Sequence, residues 1–168
     1  MRSTTLCFPV HGSPIQRILL GMKKTGFGFG KYNGFGGKIE EDETVIQAAI
    51  RELKEECGIE ALPEELELVG LLDFIFPASP ELDHDVYIYL VKSWRGQSYE
   101  TNEMKPQWFQ PHDIPYEHMW SDDIFWLPKV LDGDKIKGKV IFTDDNEGVR
   151  DVEIHSDPSI FLDVREPK

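Results

Sequence analysis

Apolar positions along the chain fall into short alternating or continuous runs, interrupted by one stretch of helical period. Thr5 to Val10 and Arg17 to Met22 read as strands, and the turn segment His11-Gly12-Ser13-Pro14 between them predicts that the two pair. Leu66 to Phe76 and Asp85 to Trp94 read as two more. The latter alternates in part, Val86, Ile88 and Leu90 against Tyr87, Tyr89 and Val91, as a strand covered on both faces would. Gln107 to Gln110 is a further short strand. Lys137 to Thr143 and Gly148 to His155 predict a hairpin around Asp144-Asp145-Asn146-Glu147. Thr44 to Cys57 carries the helical period. Thr44 and Gln47 fit a capping box, Gly58 a stop, and Ile46, Ile50, Leu53 and Cys57 a stripe expected to face the core. A second helix is expected from Ser121, as N-cap, to about Leu131, bent or restarted at Pro128. Gly26 to Gly37 is too glycine-rich for a regular element and too aromatic for a linker. It reads as a structured loop whose backbone approaches something closely. The whole predicts one α/β domain over residues 1–157 and a loosely held tail, 158–168.

Composition narrows the function. A 168-residue chain with 40% hydrophobic residues can bury one real core. Its formal charge of −13 makes it a poor ligand for DNA or RNA backbones, so any phosphate it binds needs added cations. Cys7 and Cys57 form no Cys-x-x-Cys pair and are expected as reduced thiols of a cytoplasmic protein. No run approaches a membrane span, and the first residues lack the apolar stretch of a signal peptide.

The chemistry concentrates on the first helix. Glu52, Glu55 and Glu56 stand at i, i+3 and i+4 and share a face, expected to lie opposite the Ile46/Ile50/Leu53 stripe. Three carboxylates on one face repel one another slightly in water and strongly in a cleft, unless a divalent cation joins them. Spacing alone leaves a solvated acidic face equally open. The surrounding pattern, Gly37-x5-Glu43-x7-Arg51-Glu52-Leu53-x-Glu55-Glu56-x-Gly58-Ile59, fixes nine positions over 23 residues. It resembles the Nudix box at every defined position. The resemblance implies a Nudix fold, a mixed β-sheet sandwiched between helices (α/β/α) with the C-terminal hairpin added. It also implies hydrolysis of a nucleoside diphosphate linkage. By the same resemblance Glu52, Glu55 and Glu56, with the Gly36 carbonyl, ligate Mg²⁺, for which Mn²⁺ can stand in, and Arg51 pairs with Glu43 to orient loop and helix. Glu103, outside the box, is a candidate further ligand or general base.

Four other stretches resemble the oxidised purine nucleoside triphosphatase branch of that family, whose members cleave 8-oxo-dGTP to the monophosphate and pyrophosphate. They are Leu20 to Lys24, Tyr32 to Lys38 (Asn33-Gly34-Phe35-Gly36-Gly37-Lys38), Glu103 to Pro106, and Met119 to Asp123. The resemblance implies that Asn33, Asp122 and Asp123 read the base edge and that Trp120 stacks on it. Phe27, Phe74, Met104 and Trp126 would wall the pocket, Lys23 would lie near the substrate, and Phe35, Gly36, Gly37 and Lys38 would also bind it. Two positions depart from the branch. Phe8 stands near a small hydroxyl residue and would fill that space unless Thr5 or Cys7 takes the place. His84 stands where an apolar pocket residue is usual. The expected partner is therefore a small nucleotide, with no nucleic-acid polymer and no membrane, bound by a monomer. Alternatives are another Nudix substrate (a general dNTP, a dinucleoside polyphosphate or a nucleotide sugar) or a non-catalytic nucleotide sensor.

Overall fold

The computed structural model describes residues 2–160. At its centre two strands run parallel, β1 (Arg2–His11) and β5 (His84–Val91), in register from Arg2↔His84 to Pro9↔Val91. Antiparallel to β5 lies β4 (Leu66–Ile75). It pairs in parallel with β7 (Ile136–Phe142), which turns back into β8 (Val149–Ser156) as the sequence predicts. On the other side β2 (Arg17–Lys23) pairs with β3 (Tyr32–Asn33) and with β6 (Met104–Phe109), a longer strand than the expected Gln107 to Gln110. The result is a mixed sheet of eight strands, ordered β3-β2-β1-β5-β4-β7-β8 with β6 also on β2.

The predicted hairpin of the first two strands needs correction. β1 meets β2 only at Val10↔Ile18 and His11↔Arg17, and its long partner is β5. A turn signal is local, whereas parallel pairing between distant segments leaves no local mark. Beyond those two pairs the strands fork, and residues 33–38 thread between them. Cys7 N–H donates to the Phe35 carbonyl at 2.7 Å, Phe35 N–H returns to Cys7 at 2.9 Å, and Thr5 N–H reaches the Gly37 carbonyl at 2.9 Å. Gly36 is obligatory here, and Gly37 leaves room for the Glu52 carboxylate. A Cβ on Gly36 would overlap the Thr5 carbonyl, and one on Gly37 would stand 2.6 Å from the Glu52 carboxylate.

Helix α1 (Val45–Cys57) begins at the expected capping box. Gln47 N–H donates to Thr44 Oγ1 at 3.2 Å, and Thr44 N–H to Gln47 Oε1 at 2.9 Å. Gly58, at φ 81°, ends it. Its buried stripe is rotated from the expected one. Val45, Ala49, Leu53 and Cys57 are enclosed with Ala48, while Ile46 and Ile50 pack only at the flank. Small alanines let the helix approach the sheet closely, which turns the adjoining Glu56 inward. The acidic face therefore borders the buried stripe rather than opposing it. Helix α2 (Asp123–Leu131) runs through Pro128. Ser121 does not cap it: its hydroxyl donates to the Glu147 carbonyl at 2.6 Å, and Asp122 occupies the cap position with its side chain turned inward to Trp126.

The two helices cover opposite faces. Cys7, Tyr87 and Tyr89 pack with α1, and Phe8, Val86 and Ile88 with Trp126, Leu127 and Val130 of α2. Phe8 is fully enclosed, edge-on to Trp126 at 6.0 Å, so it belongs to this core and does not block a pocket. Ile160 is buried, and the remainder of the expected tail, 161–168, lies outside the described residues. No helix among the described residues is long and apolar enough to cross a membrane.

Candidate active site

The three helix glutamates stand in three different environments. Glu56 is 5% exposed and accepts a hydrogen bond from Gly36 N–H at 2.8 Å, with Lys23 Nζ 4.0 Å away. Burial pushes its pKa up to about 8, and the charges of Glu52 and Glu103 push the same way. Glu52 is half-buried, and burial raises it too, against a hydrogen bond from Arg51. Glu55 is 56% exposed. Arg51 ties the group together. It grips Glu43 with two nitrogens at 2.7 and 2.9 Å and donates to Glu52 at 2.9 Å, Glu55 at 3.3 Å and the Lys38 carbonyl at 3.1 Å. That grip holds the Glu43 carboxyl below its usual range. Glu103 is exposed just ahead of β6, close enough that its charge reaches Glu52 and Glu56.

In extended backbone the N–H and C=O of one residue point the same way. Gly36 N–H meets Glu56, so its carbonyl also faces the helix, and it makes no hydrogen bond among the described residues. Glu56 and the Gly36 carbonyl thus face each other, with Glu52 and Glu103 near enough for their charges to reach Glu56, and Glu55 for its charge to reach Glu52. Among the described residues no three acidic, histidine or cysteine side chains have converged into a ready metal cage. The thiols take no part. Cys7 and Cys57 are buried and free, and burial pushes Cys57 up to about 12 and Cys7 higher still.

Beside the glutamates opens a cavity of about 300 Å³. Of the residues expected there, Lys23, Phe27, Asn33, Gly36, Gly37, Lys38, Glu56, Phe74, Met104, Trp120, Asp122, Asp123 and Trp126 line it. Phe35 does not. It is wholly buried beneath α1 with its ring against Gly21 and Met104, because alternation along the threading segment sends it to the opposite side from its neighbours. Local sequence reasoning missed Arg2, Leu6, Phe76 and Phe142. Thr5 also lines the wall, with its hydroxyl buried and without a partner.

Polar groups on this wall are few and fixed. Asp122 and Asp123 are each 2% exposed. Trp126 Nε1 donates to Asp122 Oδ2 at 2.7 Å, while Asp123 Oδ2 is buried and has no partner. Burial raises both carboxyls, and for Asp123 the neighbouring Asp122 adds to the rise. Asn33 Oδ1 accepts from Gly34 N–H at 2.8 Å, which leaves its amide hydrogens for another partner. Trp120 is braced from outside by Phe27, 4.9 Å away between centroids, and by Lys31 Nζ at 5.2 Å from the ring, itself 3.7 Å from Glu147.

Comparison with known proteins agrees with this geometry. A model of the NUDIX domain matches residues 2–130. The chain is 47% identical over 129 residues to the mouse oxidized purine nucleoside triphosphate hydrolase, covering 77% of this chain and 81% of that protein. It is 47% identical over 122 residues to the zebrafish protein of the same description, covering 73% and 76%. In fold it resembles the MutT protein of Bacillus halodurans, with a TM-score of 0.79 at 21% identity over 94% of this chain and all of that one. The box from Gly37 to Ile59, the threading glycines and the sheet that positions them make the chain a member of the NUDIX family of hydrolases.

Proposed function

We propose that the chain hydrolyses oxidised purine nucleoside triphosphates of the 8-oxo-dGTP type to monophosphate and pyrophosphate, clearing damaged precursors from the nucleotide pool. One observation carries the reading: a single cavity is lined both by a buried aspartate pair beside Trp120 and by Glu56, Gly36 and Gly37 of the box. The description of the mouse and zebrafish relatives supports it.

The carboxylates of Glu52, Glu55, Glu56 and Glu103 and the Gly36 carbonyl form an all-oxygen set suited to Mg²⁺, with Mn²⁺ as substitute. Glu56 fits this role by its place, since it lines the cavity and accepts from the Gly36 N–H. When bound, the cation supplies charge neutralisation at the phosphates and a more acidic water. Arg51 holds Glu52 in place and ties the Lys38 carbonyl and Glu43 to the helix. Lys23 and Lys38 bring positive charge to the cavity wall, where phosphate oxygens would lie. Positioning of this kind is most of what phosphoryl chemistry requires. Water forms a bond to phosphorus as the α–β bridging P–O bond breaks, its proton passes to solvent, and pyrophosphate leaves.

Trp120 supplies stacking, worth about 1–3 kcal/mol and nearly blind to base identity. Identity comes from buried hydrogen bonds, because a mismatched base leaves polar groups unpaired. Asp122 and Asp123, sharing one proton, present a donor and an acceptor together, and the Asn33 amide adds a donor. The test is turnover with Mg²⁺ on 8-oxo-dGTP, 2-hydroxy-dATP, dGTP, dATP, diadenosine polyphosphates and ADP-ribose. Ordinary dGTP matching 8-oxo-dGTP in kcat/KM would sink the reading, and binding without turnover of any of them would make the chain a sensor.

A further inference from the structure

The cavity wall contains an imidazole that the proposed chemistry leaves unused. His84, at the start of β5, lines the cavity with Phe74 and Phe76, edge-on to the first at 5.2 Å and parallel to the second at 6.2 Å. Its Nδ1 lies 2.8 Å from the Leu82 carbonyl. A carbonyl can only accept, so Nδ1 carries the hydrogen, and in the neutral ring Nε2 is then a bare lone pair. Nothing among the described residues hydrogen-bonds to Nε2. Burial pulls the ring's pKa below its ordinary value. The Leu82 carbonyl opposes this, Arg2 on the paired position of β1 assists it, and Asp85 and Asp83 oppose it. The wall residues of β4 and β7, Phe74 and Phe142, and Phe76 just after β4 carry no charge. The ring is neutral at pH 7 and Nε2 accepts.

The aspartate pair and the Asn33 amide already serve the base edge that carries the exchangeable pairing groups. The imidazole ring of the purine is the edge left for the β4–β5 wall. There an oxidised purine differs from an ordinary one in kind. An ordinary purine has N7 as an acceptor, whereas the 8-oxo form carries hydrogen on N7. We propose that His84 is a specificity-determining residue whose Nε2 accepts a hydrogen bond from the N7–H of an 8-oxopurine. An ordinary purine would instead set two lone pairs against each other in a desolvated site, and neither would be satisfied. The inference rests on reading the cavity as the base site.

Three substrates and two variants test it. In His84→Asn the amide still reaches the Leu82 carbonyl but no atom stands at the Nε2 position. In His84→Gln the longer carboxamide returns an oxygen there. The readout is kcat/KM on 8-oxo-dGTP, dGTP and 8-methyl-dGTP, the last carrying bulk at C8 without a hydrogen on N7. His84→Asn is expected to lower the preference for 8-oxo-dGTP over dGTP about fivefold to tenfold, the worth of one hydrogen bond. The change should lie in KM, with kcat on 8-oxo-dGTP nearly unchanged. The 8-methyl-dGTP to dGTP ratio should not move, and His84→Gln should recover most of the loss. A preference within twofold of the original in His84→Asn, or an equal loss on all three substrates, overturns the inference. The wild-type protein separates the two claims. If it shows no preference for 8-oxo-dGTP over dGTP, the proposed function fails and takes His84 with it. If that preference persists unchanged in His84→Asn, only the role of His84 fails.

Discussion

Asp123 has one carboxylate oxygen buried without a partner and a second aspartate beside it. Such a group holds its proton above the ordinary value of 3.8. The sign of the resulting pH dependence follows. A carboxyl whose pKa rises on folding stabilises the fold fully below its unfolded value and loses that contribution as pH climbs through the folded one. Asp123→Asn cannot lose a proton, so its melting temperature relative to the wild type is expected to rise as pH increases from 3.8 upward. A flat difference across that range would mean that the pair shares no proton. Asp122→Asn should change the ratio of kcat/KM values among purine substrates, whereas an equal loss on all of them would make Asp122 only the inner anchor of Trp126. Glu56→Gln keeps the size of the side chain but removes the charge. Turnover is expected to fall by about a hundredfold or more on every substrate, while nucleotide binding measured calorimetrically survives in part. The helix glutamates were legible as a group because the box fixes their spacing, whereas Asp122 and Asp123 rested on the resemblance of the Met119 to Asp123 stretch. Phe76 and Phe142 were not legible, since what makes them wall residues is their place beside the sheet and not a pattern.

Helix α1 was the most legible element, and it also carries the most instructive error. Its start and stop follow from chemistry within one turn of each end, which sequence records directly. Its rotation does not. Ile46 and Ile50 are the larger apolar residues and suggested the core face, yet Ala48 and Ala49 take it because close approach to the sheet rewards small side chains. That rotation carries Glu56 into a buried position, where its carboxylate can act. The loop–helix junction rests on Arg51, whose planar fork meets Glu43 with two nitrogens. Arg51→Lys cannot reproduce this geometry and is expected to lower stability by about 1–3 kcal/mol, read from denaturant unfolding, with a larger loss in turnover than in nucleotide affinity. A stable Arg51→Lys protein with full activity would contradict the role given to the junction. Parallel pairing of β1 with β5 and of β4 with β7 stayed invisible, because the sequence carries no turn between such partners.

The charge of −13 is a property of the whole molecule, and it bears on partners more than on fold. Lys23, Lys31 and Lys38 are gathered around one cavity, while acids dominate the remainder of the chain. Phosphates on a polymer would meet a net charge of −13 on the chain as a whole. Duplex DNA and single-stranded RNA are therefore expected to show no mobility shift with the protein even at about 50 mM salt, where non-specific binding is strongest. A shift at that salt would overturn this expectation. The fork between β1 and β2 has a consequence of another kind. The two strands are joined directly by only two residue pairs, and the cavity draws on Thr4, Thr5 and Leu6 of one, Lys23 of the other and Asn33, Gly34, Gly36, Gly37 and Lys38 in the gap. A nucleotide lying there would act as a stitch across the open end of the fork. Its arrival should be felt in deuterium exchange, with the amides of residues 33–38 and the first half of β1 slowing sharply and those of β7 and β8 keeping their own pace.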